Sequence, residues 1–199
     1  MVHVTNEFEV KGFAVDIERL PMNFPTHQHD AAFWEALGRA VATFGFLEEV
    51  LGRAIFAFTA TREIPPDQIE AEYVKWLPIL ERALDDALGG LIVSYSSAAR
   101  EHQGVPSFLD DLLKQLREAA VWRNTICHGS WRAPDEQGCS LPLYVDKKRG
   151  VFETPIDIAM LEQLQRHVAE LACAVVSTVT QMGYQFPGSS GPGKPVWNP

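Results

Sequence analysis

From Asp30 onward the apolar residues fall at steps of three and four, and this run constrains the fold more than any other. Phe33, Leu37, Ala40, Phe44, Leu47, Leu51, Ala54 and Phe58 make one stripe, which at 3.6 residues per turn is a helix of roughly eight turns. Trp34, Val41, Phe46, Val50 and Ile55 lie off that stripe. A helix apolar on more than one side is central in a bundle or contributes to a subunit interface.

The rest of the chain repeats the pattern. "REIPPDQ" breaks the first helix, since proline stops one helix and can open the next. A second stripe runs through Ile69, Tyr73, Trp76, Leu80, Leu84 and Leu88, with Gly89 and Gly90 ending or kinking it; "LIVSYSSAAREHQG" continues as a shorter helix on Leu91, Tyr95 and Ala99. The clearest helix follows. Ser107 is placed as its N-cap, with Asp110 three residues later as in a capping box. Leu109, Leu112, Leu113, Leu116, Ala119 and Ala120 form its buried stripe, and Gly129 suits the residue just past its end. "LPLYVDKKRGVFETP" reads as a hairpin over about 141–153, with a charged tip from Asp146 to Gly150. Thr154 is expected to cap the last helix, with Pro155 at its first position and Asp157 at the third; that helix runs to about Met182. Residues 1–29 form an arm whose "FEVKGFAVDIE" alternates like a strand, and 183–199 read as a mobile tail rich in Pro, Gly and Ser. The expectation is an all-α fold: a four- to five-helix bundle over 30–182 with a short β-hairpin before the last helix.

Charge and cysteine content narrow the function classes. A net charge of −9 over 199 residues argues against a surface built for broad nucleic-acid or anionic-membrane binding. Cys127, Cys139 and Cys173 are odd in number and hold no C-x-x-C pair, which points away from a disulfide framework or zinc knuckle and toward a reducing cytoplasm. "MVHVTNEFEVKG" has no signal pattern, and stretches such as "LACAVVSTVTQMG" are too short or too polar to span a bilayer. The chain reads as soluble and cytoplasmic, without a membrane partner.

One stretch stands apart. "WRNTICHGSW", residues 122–131, places an arginine, an asparagine, a cysteine and a histidine where a helical pattern ends. Arg123 follows Leu116 by seven and Ala119 by four, so it continues the buried stripe and needs a partner: a carboxylate from another helix or an external anion. His128 is five residues further, about 140° round an ideal helix. The two can meet only where the helix ends or distorts, or across a dimer axis. A helix C-terminus favours a protonated imidazole, suited to proton donation or phosphate binding.

Arg123-Asn124-x-x-x-His128 resembles the R-polar-x3-H signature of the HEPN superfamily (higher eukaryotes and prokaryotes nucleotide-binding), and the helix order over roughly 30–182 is similar too. The resemblance implies a four- or five-helix bundle acting as a homodimer with a composite site. It implies a metal-independent, cofactor-free endoribonuclease of a toxin–antitoxin or phage-defence system, or an inactive relative that binds a nucleotide or a partner protein such as an antitoxin. In the active case an RNA 2′-hydroxyl attacks the adjacent phosphorus and leaves a 2′,3′-cyclic phosphate. His128 then moves a proton, Arg123 holds the phosphate, and Asn124 orients one or the other. The N-terminal arm and the hairpin are not general features of the family.

Blander roles compete for each residue. Arg123 and His128 can be a structural ion pair and a helix end, with Glu48, Glu49 or a carboxylate of the second helix as the partner. Glu48 follows Phe44 by four and reads as a solvated helix edge; pairing with Arg123 is its functional alternative. Lys147, Lys148 and Arg149 at the hairpin tip read as a solvated turn, or as a phosphate or RNA contact. His27 and His29 have metal-ligand spacing without a distant partner cluster, and Asp30 beside them reads as a helix cap, so no metal site is assigned. Cys127 reads as a buried, inert thiol, and Trp122 and Trp131 as packing residues rather than base-stacking platforms.

Overall fold

The structure, a computed structural model, describes residues 12–60, 64–146 and 150–191. Five helices carry the fold: α1 (Ala31–Ala60), α2 (Ile69–Asp85), α3 (Leu88–Arg100), α4 (Leu109–His128) and α5 (Ile158–Gln181). Four two-residue strands lie between α4 and α5: β1 (Ser130–Trp131), β2 (Pro142–Leu143), β3 (Val145–Asp146) and β4 (Gly150–Val151). β1 pairs antiparallel with β2 and β3 with β4: the all-α expectation stands as a mostly-α fold, the β3–β4 pair lies within the expected 141–153 hairpin, and β1 adds a pairing from outside it. Among the described residues no helix is long and apolar enough to cross a membrane.

α1 is the central element and packs against all four other helices. Its stripe of Phe44, Leu47, Leu51, Ala54 and Phe58 is fully buried, and so are Val50 and Ile55 beside it. Leu88, Ile92 and Tyr95 of α3, Leu113 and Leu116 of α4, and Leu161, Val168 and Val175 of α5 close the core around it. Each such side chain contributes about 1.5–3 kcal/mol of transfer free energy. α2 is different. Its spacing predicted a buried stripe, yet Ile69, Tyr73 and Leu84 are exposed and only Ala83 is fully buried. Periodicity shows that a helix has an apolar side, not that another element covers it.

The helix boundaries depart from the expected caps. Ser107 does not cap α4; the cap position is Phe108 without a side-chain bond, and Asp110 pairs with Arg100 of α3 instead of closing a box. Asp157, not Thr154, caps α5, accepting a hydrogen bond from the Met160 N–H at 2.7 Å. Pro155 stays outside because Ile156 is held by two backbone bonds to Ser140. Gly89 and Gly90 lie in the first turn of α3, not at a kink in α2, and a Cβ on Gly90 would stand 2.7 Å from Asp86 Oδ2. In the arm, residues 12–16 are not a strand and Ile17–Arg19 form a 3₁₀ turn; the remainder of the strand-like run lies outside the described residues. His29 stacks on Phe33 at 4.3 Å, and the Trp34 indole N–H donates to Thr26 O at 2.9 Å, which fastens the arm to α1. Burial pushes the His29 imidazole pKa down, partly opposed by Asp30. The expected tail starts late: Phe186 is buried, and Tyr184 hydrogen-bonds His102 at 2.7 Å.

Tyr95 supplies a pH-dependent prediction. Its ring is wholly buried, and its hydroxyl has no hydrogen-bond partner among the described residues. Burial pushes the phenol up to about 12, opposed in part by nearby Thr178, whose own hydroxyl donates to Ala174 O. The folded state therefore holds the Tyr95 proton more tightly than the unfolded chain does. The resulting stability is intact below pH 10 and lost as pH rises from 10 to 12, by roughly 3 kcal/mol. Tyr95→Phe is expected to be near neutral at pH 7 and to remove this part of the alkaline loss. Denaturant unfolding of both proteins across that range checks it; equal slopes would refute it.

Candidate functional site

Arg123, Asn124 and His128 occupy the C-terminal end of α4. Leu116 and Ala119 are buried on the face that Arg123 continues, which carries the arginine toward α1. Its Nε lies 3.2 Å from Glu48 Oε1, and the two side chains are only 23% and 25% exposed. Glu48 is thus the arginine's partner, not a freely solvated helix edge, while Glu49 pairs with Arg53 one turn along α1. Glu48 Oε1 is shielded from solvent and accepts no hydrogen bond among the described residues, so charge rather than hydrogen bonding holds the pair.

The Nη1 atom of the same guanidinium lies 3.5 Å from His128 Nε2 and 3.5 Å from Asn124 Oδ1. Asn124 therefore supports the arginine rather than the histidine. The long arginine side chain spans the angle between positions five apart because His128 is the last helical residue and no further turn intervenes. The meeting occurs within one chain and needs no two-fold axis. Nη1 can only donate, so as a hydrogen bond this contact has Nε2 as its acceptor. His128 is exposed, and the pair opens to solvent at the end of the bundle.

Gly129 shapes this end by closeness, not by a left-handed turn. Its φ of −68° and ψ of 137° are extended, unlike the conformation expected of a glycine ending a helix. A Cβ there would meet Thr125 O at 2.5 Å and Pro142 Cβ at 2.8 Å. Only glycine lets β2 lie against the last turn of α4. Trp131 on β1 packs edge-on to Phe33 at 5.0 Å, and Trp122 packs on Phe152 at 5.3 Å, so both tryptophans are packing residues.

Cys127 departs from expectation. It is exposed, one turn after Arg123. Desolvation pushes its thiol pKa up, Arg123 pulls it down and Glu48 pushes it up again; the net rise makes it a poor nucleophile. The basic tip of Lys147, Lys148 and Arg149 lies outside the described residues. His102 escaped the sequence reading. It lies between Phe58 O and the Tyr184 hydroxyl, both at 2.7 Å, and ties the end of α1 to the C-terminal segment. "REHQG" carried no periodic signal to mark it.

Comparison of the chain with protein-family models, with curated proteins and with solved structures finds no match.

Proposed function

We propose that this chain is a HEPN-like, metal-independent endoribonuclease of the toxin or defence type, acting in the cytoplasm as a homodimer. The observation that carries the reading is the approach of Arg123 Nη1 to His128 Nε2 at 3.5 Å on the exposed end of α4. Arg123 Nη1 turns from His128 Nε2 to the bound phosphate, and the freed Nε2 lone pair takes the proton of an RNA 2′-hydroxyl as its oxygen attacks the adjacent phosphorus. Arg123, held beside the site by Glu48, stabilises the charge that grows on the phosphate oxygens. The bond to the 5′-oxygen breaks, leaving a 2′,3′-cyclic phosphate and a 5′-hydroxyl protonated from water or from a second group. Glu48 and Asn124 hold the guanidinium.

The net charge of −9 limits non-specific attraction to RNA, which fits a single exposed RNA loop better than general degradation. The same acidity favours a second reading, a non-catalytic dimeric module that binds a nucleotide or a partner protein such as an antitoxin. Incubation with a cellular RNA mixture in EDTA separates the two. The enzyme reading expects discrete products with cyclic-phosphate ends, lost in His128→Ala while the thermal transition is unchanged, because His128 is exposed. Absence of products, or equal products from His128→Ala, removes the catalytic reading.

A further inference from the structure

α1 is central to the bundle, yet among the described residues one face of it is open along most of its length, up to Arg53, whose Nη1 donates to Pro187 O at 3.4 Å. Glu35, Gly38, Ala42, Gly45, Glu49 and Arg53 recur at steps of three and four, like the core stripe, and all six are exposed. Phe46 beside them is 53% exposed, and Val41 is 37% exposed. A Cβ on Gly38 or Gly45 would meet nothing within 4 Å, so no contact among the described residues explains these helix-interior glycines. They leave bare backbone that another helix can approach closely.

The charges on this face choose the occupant. Arg39 pairs with Glu35 at 2.7 Å and Arg53 pairs with Glu49, the first two side chains about two-thirds exposed and the second two about half. Glu35 and Arg53 stand equally far from residue 44 in opposite directions, and so do Arg39 and Glu49. Reversed end for end, the pattern is its own complement. Two glutamates and two arginines leave the face neutral in a chain of net charge −9, so a strongly acidic or basic partner gains little there. A second, antiparallel copy meets an opposite charge at every position, as an isologous two-fold interface requires.

We propose that the Glu35–Arg53 face of α1 is the homodimer interface, with two α1 helices crossing antiparallel near Ala42 and Gly45. Glu35 and Arg39 then stand against the partner's Arg53 and the partner's Glu49. Phe46 is covered, and the bare glycines set the close approach. This gives the proposed dimer a face and is independent of the cleavage chemistry, so failure of one leaves the other standing.

Solution mass tests the proposal. The wild-type chain is expected to be a dimer in the micromolar range by sedimentation or light scattering. Arg39→Glu with Arg53→Glu makes the face wholly acidic, and Glu35→Arg with Glu49→Arg makes it wholly basic. Each double variant alone is expected to be a folded monomer by mass and circular dichroism, while an equimolar mixture forms a one-to-one heterodimer. Gly45→Gln, whose added Cβ meets nothing within 4 Å among the described residues, is expected to stay folded and lose dimerisation at least tenfold. A monomeric wild type, dimers that persist in either double variant or in Gly45→Gln, or a mixture that fails to pair each overturns the interface.

Discussion

Arg123→Ala is expected to cost both rate and stability. In the proposed reaction Arg123 is the cation next to His128, and removing one preorganised donor of this kind lowers kcat by about 10²–10³. The same change leaves Glu48 Oε1, shielded and already without a hydrogen bond, as an uncompensated charge. Breaking a fully buried pair costs about 3–5 kcal/mol, and since both side chains keep about a quarter of their exposure, a loss of about 2 kcal/mol is expected. Adding Glu48→Gln should restore most of the stability and none of the cleavage, because it removes the orphaned charge without replacing the phosphate contact. Urea unfolding and cleavage rates on the two variants read the effects separately. If Arg123→Ala leaves stability unchanged, the ion pair is not structural; if it leaves cleavage unchanged, Arg123 is not in the site.

Gly129→Ala carries the second large effect. The added Cβ would stand 2.5 Å from Thr125 O and 2.8 Å from Pro142 Cβ, and both neighbours are backbone or ring atoms that cannot rotate away. Either the last turn of α4 opens or β2 withdraws from it, at a cost of about 1–3 kcal/mol. His128 is the adjacent residue, and a displacement of about 1 Å at a catalytic group can lower the rate about 10²-fold. The expected outcome is a folded protein with a lower unfolding midpoint and cleavage reduced far beyond what that stability loss explains. Wild-type cleavage in Gly129→Ala would show that the close packing of β2 does not position His128. It is a sharper probe than His128→Ala, since it leaves every functional group in place.

The sequence located α1, α4 and α5 because their stripes obey a local 3.6-residue period and were in fact covered. It misled in part at α2, whose stripe has the same period but is only half covered: Trp76 and Leu80 are half-buried, while Ile69, Tyr73 and Leu84 are exposed. The caps failed for a related reason. Ser107 and Thr154 are good capping residues, but Arg100 draws Asp110 away, and the Ser140–Ile156 bridge shifts the start of α5 to Asp157. A cap is chosen among near-equal local options, and one tertiary contact suffices to change the choice.

The candidate site divides along the same line. The residues alone determined that Arg123 continues a buried face and needs a counter-charge, because helical position is set by residue count and an unpaired buried cation is costly. They left open which carboxylate answers it and whether His128 could reach it. Only the packing of α4 across α1 selects Glu48 over its neighbour Glu49, and only the end of α4 at His128 lets one arginine touch both. Such contacts depend on the relative placement of helices and on side-chain rotamers. Residue spacing carries no information about either, and so the chemistry of "WRNTICHGSW" became visible only once the helices were packed.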